Sequence, residues 1–182
     1  MSTESPAAAS AAPVLPGARV VLRPVTSADV PALSAIRSRP EVSRWWTDPS
    51  DEATVRAELD DPDVERFAIW YGGRVVGAIE WYAEPTPAYR HAGIDIYLDP
   101  AVHGRGLGGD AVRTLARHLF DAHGHHRLVI DPAAANADAI RCYARVGFRP
   151  VGVLRRYERL PGGGFRDGLL MDLLAEELTG PS

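Results

Sequence analysis

A glycine-rich segment is the part of this sequence whose residue types and spacing point most directly to chemistry. It reads Gly-Arg-Gly-Leu-Gly-Gly over 104–109 and lies between a predicted strand and a predicted helix. Glycines let backbone N–H groups turn toward an anion, and the N-terminus of the following helix favours phosphate. The segment therefore predicts a phosphate-binding loop, with a ligand-free glycine turn as the alternative.

The segment matches two well-known phosphate-binding patterns only in part. It satisfies G-x-x-x-x-G, but Asp110 and Ala111 follow where an ATPase loop carries Lys and then Ser or Thr. It also satisfies G-x-G-x-x-G with Asp131 about 20 residues further on, as in a dinucleotide-binding fold. However, residues 99–103 separate the strand from the first glycine, and the roughly 50 residues after Asp131 are too few to complete that fold. The sequence thus excludes the ATPase loop and disfavours the dinucleotide fold.

Composition narrows the chemistry further. All 20 basic residues are arginines, and the absence of lysine excludes Schiff-base and pyridoxal-phosphate mechanisms. The net charge of −4 argues against a nucleic-acid partner and is compatible with a cationic one. The single cysteine cannot form an internal disulfide, no apolar run approaches ~20 residues, and the N-terminus does not resemble a signal peptide. We therefore expect a cytoplasmic protein without a membrane partner.

Hydrophobic patterning predicts the elements that must position the loop. The 182 residues fit one domain, which we place at 18–178 after a disordered tail over 1–17 that is rich in Ala, Ser and Pro. We predict strands at 19–25, 66–71, 74–82, 93–98, 127–130, 148–157 and 165–174, and helices at 51–59, 107–119 and 136–145. Thr26 and Asp29 have the spacing of a loose capping box, which predicts that a first helix begins there and runs to about Arg37. Gly72 and Gly73 predict a tight hairpin, and the order of the elements indicates a mixed α/β layout.

Two local patterns refine this layout. In the helix after the glycines, apolar residues recur every four positions from Leu107 to Leu119, which places Arg113 and Arg117 on the outward face. Pro40 is expected to end the first helix, and residues 42–50 are expected to form an aromatic loop.

Two motifs resemble those of the GCN5-related N-acetyltransferase (GNAT) family. The run 103–108 is similar to the family's acetyl-CoA loop, whose pattern is Gln or Arg, two residues, Gly, one residue, Gly or Ala; His103 departs from it at the first position. The second motif comprises Asn136, Ile140, Tyr143, Gly147 and Phe148, which resemble the family's asparagine helix and the tyrosine that precedes Gly-Phe. The resemblance spans nearly all of 19–174. It implies an α/β fold with a central mixed, mostly antiparallel sheet whose strands splay, flanked by helices.

The resemblance implies acetyl-CoA as the cosubstrate, direct transfer within a ternary complex, and no metal. The residues that would bind acetyl-CoA are Ile96, Leu98, His103, Gly104, Arg105, Gly106, Leu107, Gly108, Gly109, Asn136, Ile140 and Tyr143. In this family the strand 93–98 splays from its neighbour, so the backbone N–H of Ile96 or Leu98 would donate to the thioester carbonyl. Tyr143 would be the general acid near the leaving thiolate. The alternative for Tyr143 is a core aromatic at a helix end.

The same strand carries a candidate catalytic carboxylate. Alternation places Ile94, Ile96 and Leu98 on one face and Asp95 and Tyr97 on the other, so Asp95 points toward the cleft or toward solvent. The family context favours Asp95 as the base or as a ligand of the substrate ammonium. A solvent-facing aspartate is the alternative.

Two other features are given a structural interpretation. His123, His125 and His126 lie in a helix-to-strand turn without a cysteine or acidic partner at ligand spacing, so we interpret them as surface histidines and predict no metal site. Cys142 has no histidine nearby in sequence and is interpreted as a core thiol.

Within the family, the chain resembles the aminoglycoside 6′-N-acetyltransferases. The resemblance rests on Val42-Ser43-Arg44-Trp45-Trp46, on Gly93-Ile94-Asp95, and on Ile130-Asp131-Pro132 with the helix that follows. It implies that Asp95 and Asp131 serve as catalytic carboxylate and ligand of the substrate ammonium, and that Trp45 and Trp46 flank the sugar. We expect Glu80 and Glu84 to join these two carboxylates at the open end of the strands. Several carboxylates suit a polycationic aminosugar, and indole faces suit sugar rings. For the tryptophans, the alternative is one buried and one exposed ring.

The leading hypothesis is therefore acetylation of an aminoglycoside amine, most specifically at the 6′ position. One alternative is a GNAT enzyme for another amine: a different aminoglycoside position, a siderophore or lysine side chain, or a protein N-terminus. Another is a non-catalytic acyl-CoA-binding module. In the leading hypothesis the expected partner is a small cationic amine. Because dimers are frequent in the family, a homodimer is a further possibility.

Overall fold

The computed structural model describes residues 13–180 and is organised around an eight-stranded sheet. Its strands are β1 (Leu15–Pro16), β2 (Val21–Pro24), β3 (Val64–Tyr71), β4 (Arg74–Glu84), β5 (His91–Leu98), β6 (Arg127–Ile130), β7 (Arg149–Arg159) and β8 (Phe165–Leu174). The α-helices are α1 (Val30–Arg37), α2 (Pro40–Ser43), α3 (Glu52–Ala57), α4 (Leu107–Asp121) and α5 (Ala137–Val146). Short 3₁₀ turns cover Ser27–Asp29, Glu58–Asp60, Pro87–Tyr89, Pro100–Val102 and Ala175–Glu177.

The sheet is mixed but mostly antiparallel, which confirms the predicted fold class. The strand order is β1-β2-β3-β4-β5-β6-β8-β7, and the one parallel pair named among the described strands is β5 with β6. The predicted hairpin joins β3 to β4, and its two glycines have φ values of 58° and 81°. Positive φ at both central residues is typical of the tight turns that suit the twist of a hairpin.

The sheet opens between β5 and β6. β5 pairs with β4 from His91 to Leu98, but it pairs with β6 only at Ala92 and Gly93. From Ile94 onward the two parallel strands therefore diverge, and the backbone groups of β5 on that side have no neighbouring strand. This agrees with the splay that the family resemblance implies.

Two apolar layers cover the sheet, one on each face. On one face α4 and α5 pack against the larger core, which includes the fully buried Leu115 and Leu119. On the other face α1 and α3 enclose a smaller core around Leu33, Val55 and Tyr97. Because both faces are buried, alternate residues of β5 contribute to different cores, as the sequence predicted for Ile94 and Tyr97.

The structure corrects the predicted outward position of Arg113. This side chain is 7% exposed and donates from Nε to the carbonyl of Thr179 at 2.9 Å. Residues near the C-terminus pack across α4 at this point, which helical periodicity alone cannot reveal. Pro40 also has a different role from the predicted one, because it begins α2 at a position where its missing N–H is harmless.

The predicted tail boundary is also corrected. Residues 1–12 lie outside the described part of the chain, but Leu15–Pro16 pairs with β2 and so belongs to the sheet. Asp110 supports the turn that follows: its carboxylate accepts the backbone N–H groups of Ala18, Arg19 and Val20 at 2.7–3.2 Å. These three hydrogen bonds satisfy backbone donors that would otherwise be unpaired.

No helix among residues 13–180 is long and apolar enough to cross a membrane.

Candidate active site

The glycine loop forms the N-terminal end of α4. Gly104 and Gly106 have φ values of 74° and 75°, in the left-handed region that glycine adopts at little cost. Gly106 is the residue that precedes the first turn of the helix. The first N–H groups of a helix have no intrahelical acceptor, and the helix dipole is positive there. The loop can therefore hold a phosphate through backbone groups, without a cationic side chain.

Close packing behind the loop involves Gly108. A Cβ atom at Gly108 would lie 3.2 Å from Cδ1 of Leu98, whereas one at Gly109 would make an ordinary contact 3.7 Å from Sγ of Cys142. The small residue at 108 therefore lets α4 lie close to the end of β5. Burial raises the pKa of the Cys142 thiol, which is consistent with its interpretation as a core residue.

The open edge of β5 presents backbone N–H groups to the gap. The N–H of Asp99 donates to the carbonyl of Val76 in β4 at 2.7 Å, so alternation turns the N–H groups of Ile96 and Leu98 toward the opposite side. The position of the Leu98 carbonyl supports this direction. Its oxygen lies 3.2 Å from Nε2 of His103, which is beside the glycine loop and away from β4. The edge can therefore donate hydrogen bonds to a ligand in the gap.

The exposed side chains of the loop make few contacts. His103 and Arg105 are both exposed, and the carbonyl of Arg105 accepts from Nη1 of Arg19 at 2.9 Å. Their binding to acetyl-CoA stays a prediction. The contact with Arg19 involves the carbonyl of Arg105 and not its side chain.

Helix α5 borders the opening on its other side. The Asn136 side chain caps this helix by accepting the N–H of Ala139 at 3.2 Å, and Ile140 is half-buried against the larger core. Tyr143 is 8% exposed, with its ring centroid 6.3 Å from that of Phe148. Within residues 13–180 its hydroxyl has no hydrogen-bond partner. Asn136 thus has a structural role that the cofactor prediction did not include.

Burial and nearby negative charge keep Tyr143 protonated. Desolvation raises its pKa far above the ordinary value, and the charges of Asp95 and Asp131 raise it further. A phenol in this state is protonated near neutral pH and cannot act as a base. It can protonate a leaving thiolate where the same desolvation raises the pKa of the thiol that forms.

Asp95 has the most strongly perturbed carboxyl group of the site. Its pKa is raised to about 7, first by burial and then by the charges of Glu80 and Asp131, with smaller contributions from Asp48 and Glu158. A carboxyl group with this pKa is divided between its two protonation states near neutral pH. It is therefore suited to accept a proton from a substrate and later to release it.

The carboxylates around Asp95 come from four separate segments. Glu80 lies opposite Asp95 in β4, Asp131 follows β6, Glu158 belongs to β7, and Asp48 lies in the loop between α2 and α3. Asp48 and Glu158 were not among the predicted site residues. No sequence signal marked them, because neither forms a motif with its neighbours in the chain.

These carboxylates differ in how their charge is compensated. Glu80 forms an ion pair with Nε of Arg66 at 2.8 Å, and Glu158 accepts from Nε of Arg166 at 2.5 Å. Asp131 instead accepts the hydroxyl of Tyr157 at 2.5 Å. Glu80 was predicted as a substrate ligand; in the structure its partner is an arginine, and its charge acts on the pKa of Asp95.

Glu84 does not join the cluster that the sequence suggested for it. Its carboxylate accepts the backbone N–H of Thr86 at 2.9 Å, which turns the side chain into its own loop. Hydrogen bonds from the Thr86 side chain and then from its backbone N–H lower the pKa of the carboxyl group. The carboxylate is therefore used in a turn rather than in the site.

Tyr82 adds a second phenol to the acidic cluster. Its ring lies over Gly93, where a Cβ atom would be 2.2 Å from the ring's Cζ. Burial raises the pKa of Tyr82 to about 12, and the charges of Asp95, Asp131 and Glu80 contribute in the same direction. Glycine at 93 is thus required by the close approach of this ring, and Tyr82 was not predicted to belong to the site.

The two tryptophans lie in the loop that reaches the β7–β8 hairpin. Trp46 packs edge-to-face on Tyr97 with ring centroids 4.8 Å apart. The guanidinium carbons of Arg44 and Arg166 lie 5.5 Å and 5.8 Å from the ring centroid of Trp45. Both indoles are half-buried, so the expected alternative of one buried and one exposed ring is wrong. Arg166 also donates to the carbonyl of Trp45 at 2.5 Å, which fixes the loop beside Glu158.

Of the three histidines predicted to lie on the surface, His126 is exposed, whereas His123 is half-buried and His125 is buried. His125 is 4% exposed, and burial together with nearby positive groups lowers its pKa to about 4. His123 packs on Trp81 and lies 3.2 Å from His118 between their Nε2 atoms. In the described part of the chain, no group of three or more His, Cys, Asp or Glu side chains could hold a metal ion.

The site therefore combines an anion-binding backbone loop, an open strand edge, a carboxyl group that titrates near neutrality, and a phenol that retains its proton. Such an arrangement can take a proton from a cationic nucleophile on one side and supply one to a leaving group on the other.

Comparison with known proteins agrees with this chemistry. The family model described as Acetyltransferase (GNAT) domain matches residues 19–149. A solved structure of AAC(6')-Ib in complex with Parmomycin and AcetylCoA has a TM-score of 0.73 at 25% identity, covering 87% of this chain and 95% of that one.

Curated relatives include enzymes with different acceptors. N-alpha-acetyltransferase RimI of Mycobacterium tuberculosis is 33% identical over 120 residues, 63% of this chain and 71% of its own length. Aminoglycoside N(6')-acetyltransferase type 1 of Klebsiella pneumoniae is 28% identical over 155 residues, 74% of this chain and 76% of its own length. Mycothiol acetyltransferase of Corynebacterium glutamicum is 31% identical over 109 residues, which span 60% of this chain but only 36% of that protein.

Proposed function

Because the chain belongs to the GNAT acetyltransferase family, we propose that it transfers the acetyl group of acetyl-CoA directly to an amino group of an aminoglycoside, at the 6′ position. The observation that carries the proposal is Asp95, a carboxyl group with a pKa of about 7 among other carboxylates. Such a group serves a cationic acceptor, and the surrounding negative charge favours one with several ammonium groups.

The residues of the donor side fit acetyl-CoA, which supplies the acetyl thioester. The glycine loop at Gly104–Gly109 would hold the pyrophosphate through backbone N–H groups. The N–H groups of Ile96 and Leu98 face the gap beside β5 and would donate to the thioester oxygen as negative charge develops on it. Asn136 and Ile140 on α5 would border the same site.

Asp95 would act on the acceptor amine. An amino group reaches the site mostly as an ammonium ion and must lose a proton before it can attack a carbonyl. The Asp95 carboxylate would accept that proton, because its pKa is close enough to neutrality for transfer in both directions. The charges of Glu80 and Asp131 maintain this basicity.

Tyr143 would complete the proton balance at the thiol. When the amide bond forms, the C–S bond breaks, the nitrogen loses its second proton and the sulfur requires one. The nitrogen's second proton would replace the one that Tyr143 donates, and the first, held by Asp95, would leave to solvent. Tyr143 keeps its proton in the resting site because burial opposes ionisation, and it would donate to the sulfur of the leaving group. No residue of the chain forms a covalent bond in this sequence of events.

Two observations support an aminoglycoside as the acceptor. First, Asp131 and Asp48 lie near Asp95 in addition to the two carboxylates that pair with arginines. Second, one relative acts on aminoglycosides by its name, and a structural neighbour holds such a ligand together with acetyl-CoA. A peptide N-terminus is the second candidate acceptor, favoured by the similarity to RimI. It brings one ammonium group and leaves the additional carboxylates without a partner.

A thiol-release assay tests the proposal. Purified protein and acetyl-CoA are combined with kanamycin-type aminoglycosides, lysine derivatives, hydroxylamines and N-terminal peptides, and the acetylated position of each product is determined by NMR. We expect the highest kcat/KM with an aminoglycoside that carries a 6′ amine. Preference for a peptide would transfer the assignment to protein N-termini, and absence of turnover with every amine would favour a non-catalytic acyl-CoA-binding module.

A further inference from the structure

The β7–β8 hairpin contains an irregularity beside the acidic cluster. The pairing of β7 with β8 shifts register between Leu154 and Glu158. Arg156 lies inside the shift with a φ of 50°, the one non-glycine residue of the described chain with positive φ. A bulge of this kind changes the direction in which the following side chains point. Here the residues that follow are Tyr157 and Glu158.

Hydrogen bonds hold the bulge in place. The carboxylate of Asp167 in β8 accepts the N–H of Arg156 at 2.7 Å, and the carbonyl of Asp167 accepts the N–H of Ala134 at 2.8 Å. The N–H of Leu169 donates to the carbonyl of Pro132, also at 2.8 Å. The hairpin and the loop that begins at Asp131 are therefore joined as one unit.

The bulge directs Tyr157 onto Asp131. The ring of Tyr157 lies over Gly168, where a Cβ atom would be 3.0 Å from the ring's Cδ1, so a larger residue would displace the ring. From this position the hydroxyl donates to Oδ2 of Asp131 at 2.5 Å. Among residues 13–180, no hydrogen bond to the second carboxylate oxygen, Oδ1, is present, so this oxygen can receive another donor.

The chemical nature of this donor distinguishes Asp131 from its neighbours. Glu80 and Glu158 each pair with an arginine, which offsets part of their charge. A phenol hydroxyl orients a carboxylate but adds no positive charge, so Asp131 keeps its full attraction for a cation while its side chain is held in one orientation. The Asp131 carboxylate is thus held in one orientation, and among the described residues no arginine forms an ion pair with it.

We propose that Tyr157 is a positioning residue that fixes the carboxylate of Asp131 to receive an ammonium group of the acceptor. The bulge, with Asp167 and Gly168, holds Tyr157 for this purpose. This inference rests on the proposed function, because it takes the acceptor to be cationic. The new part is the role of Tyr157, which orients Asp131 and so acts on acceptor affinity rather than on proton transfer.

The test is the variant Tyr157→Phe, which removes the hydroxyl and keeps the ring over Gly168. We expect KM for the acceptor to rise about 10-fold, in line with the loss of a hydrogen bond to a charged group. The values of kcat and of KM for acetyl-CoA should stay within about twofold. The matched control is Tyr89→Phe, at a tyrosine that is 74% exposed, and it should leave all three parameters unchanged.

A double-mutant cycle separates positioning from general destabilisation. In the Asp131→Ala background, Tyr157→Phe should have no further effect on acceptor KM, because the hydroxyl has lost the group through which it acts. An unchanged acceptor KM in the single variant, or an equal rise in both backgrounds, would overturn the inference.

A measurement without substrate distinguishes failure of this inference from failure of the proposed function. Donation to the Asp131 carboxylate is the largest cause that raises the pKa of Tyr157. NMR titration of ¹³C-labelled tyrosine, with the signal assigned by its loss in Tyr157→Phe, should therefore show a lower pKa in Asp131→Ala. An unshifted titration would show that the hydrogen bond is absent, whatever the acceptor.

The acceptor assay is then run with whichever amine the native protein acetylates. Activity only with a non-aminoglycoside amine would contradict the proposed acceptor and leave the Tyr157 comparison to be made on that amine. If no amine is turned over, the Kd of kanamycin measured by calorimetry takes the place of KM, and an equal Kd for the native protein and Tyr157→Phe would overturn the inference.

Discussion

The proposed donor side and the proposed acceptor side of the site are built from different parts of the polypeptide. The glycine loop at Gly104–Gly109 is one continuous segment that presents backbone N–H groups at the end of α4. The acceptor side consists of side chains from β4, β5, β7 and two loops, centred on Asp95. Phosphate is common to every CoA thioester, so a backbone loop suits the donor side. The acceptor differs from one enzyme to another, so variable side chains suit the acceptor side.

The same difference predicts how each region responds to substitution. A backbone site depends on φ angles and close packing, and it should tolerate changes of exposed side chains. A side-chain site depends on charge and burial, and it should be sensitive to isosteric changes that remove a charge. Variants of the two regions can test this distinction.

The largest effect is expected for Asp95→Asn. Removal of the base should lower kcat with the acceptor about 1,000-fold, within the range typical of general-base residues. The Kd of acetyl-CoA, measured by calorimetry, should change less than twofold because the donor side is untouched. The exposed Asp121→Asn is the control. A kcat within threefold of the native value would remove Asp95 from the mechanism.

The next effect concerns the backbone loop. Gly106→Val places a β-branched residue at a φ of 75° and should raise KM for acetyl-CoA at least about 10-fold, because the N–H groups lose their direction. Arg105→Ala, at the neighbouring position, should raise it by about threefold or less, since its side chain contributes only exposed charge. Equal effects of the two variants would contradict a backbone-based site. Circular dichroism melting would establish that both variants are folded.

The pH profile should reflect the burial of Asp95. Because its pKa is about 7, the protonated form that cannot act as a base dominates below that pH. We expect kcat/KM for the acceptor to fall about 10-fold per pH unit below pH 6.5, and the fall to be absent from the residual activity of Asp95→Asn. A profile that is flat from pH 5.5 to 7.5 would show that another group is the base.

Tyr143→Phe should have a smaller effect. Without the phenol proton, water must protonate the leaving thiolate, and we expect kcat to fall about 10-fold while KM for the acceptor is unchanged. Single-turnover kinetics at saturating acceptor would measure the acyl-transfer step itself. A normal transfer rate would leave Tyr143 with only its packing contact to Phe148.

The smallest effect is on stability. The pKa of Asp95 is higher in the folded chain than the ordinary value near 4, so folding favours the neutral carboxyl group. Its contribution to stability is complete below about pH 4 and is lost as the pH rises through 7. Asp95→Asn stays neutral and should therefore raise Tm at pH 8 by about 5 °C, with no gain at pH 4. Equal Tm changes at the two pH values would contradict this account of the buried charge.

The sequence predicted the donor side more completely than the acceptor side. The glycines, the following helix and the hairpin at Gly72–Gly73 occur where they were predicted, because each depends on local backbone conformation. The sequence did not identify Glu158, Asp48, Tyr82 or Tyr157, which belong to no continuous motif. It also placed Arg113 on the surface and Glu84 in the cluster, since it could not show the C-terminal residues over α4 or the turn at Thr86.

The sequence by itself determined the local features: the left-handed glycines before α4, the alternation of β5, the asparagine that begins α5, and the absence of lysine chemistry. Each depends on residue type and on neighbours within a few positions. Only the tertiary structure decided which carboxylates surround Asp95, which of them pair with arginines, and that a tyrosine orients Asp131. These properties depend on burial and on contacts between distant segments, such as the hydrogen bond from Thr47 to Glu158 across 111 positions. Charge and desolvation act through space, so the chemistry of the acceptor side follows from the fold.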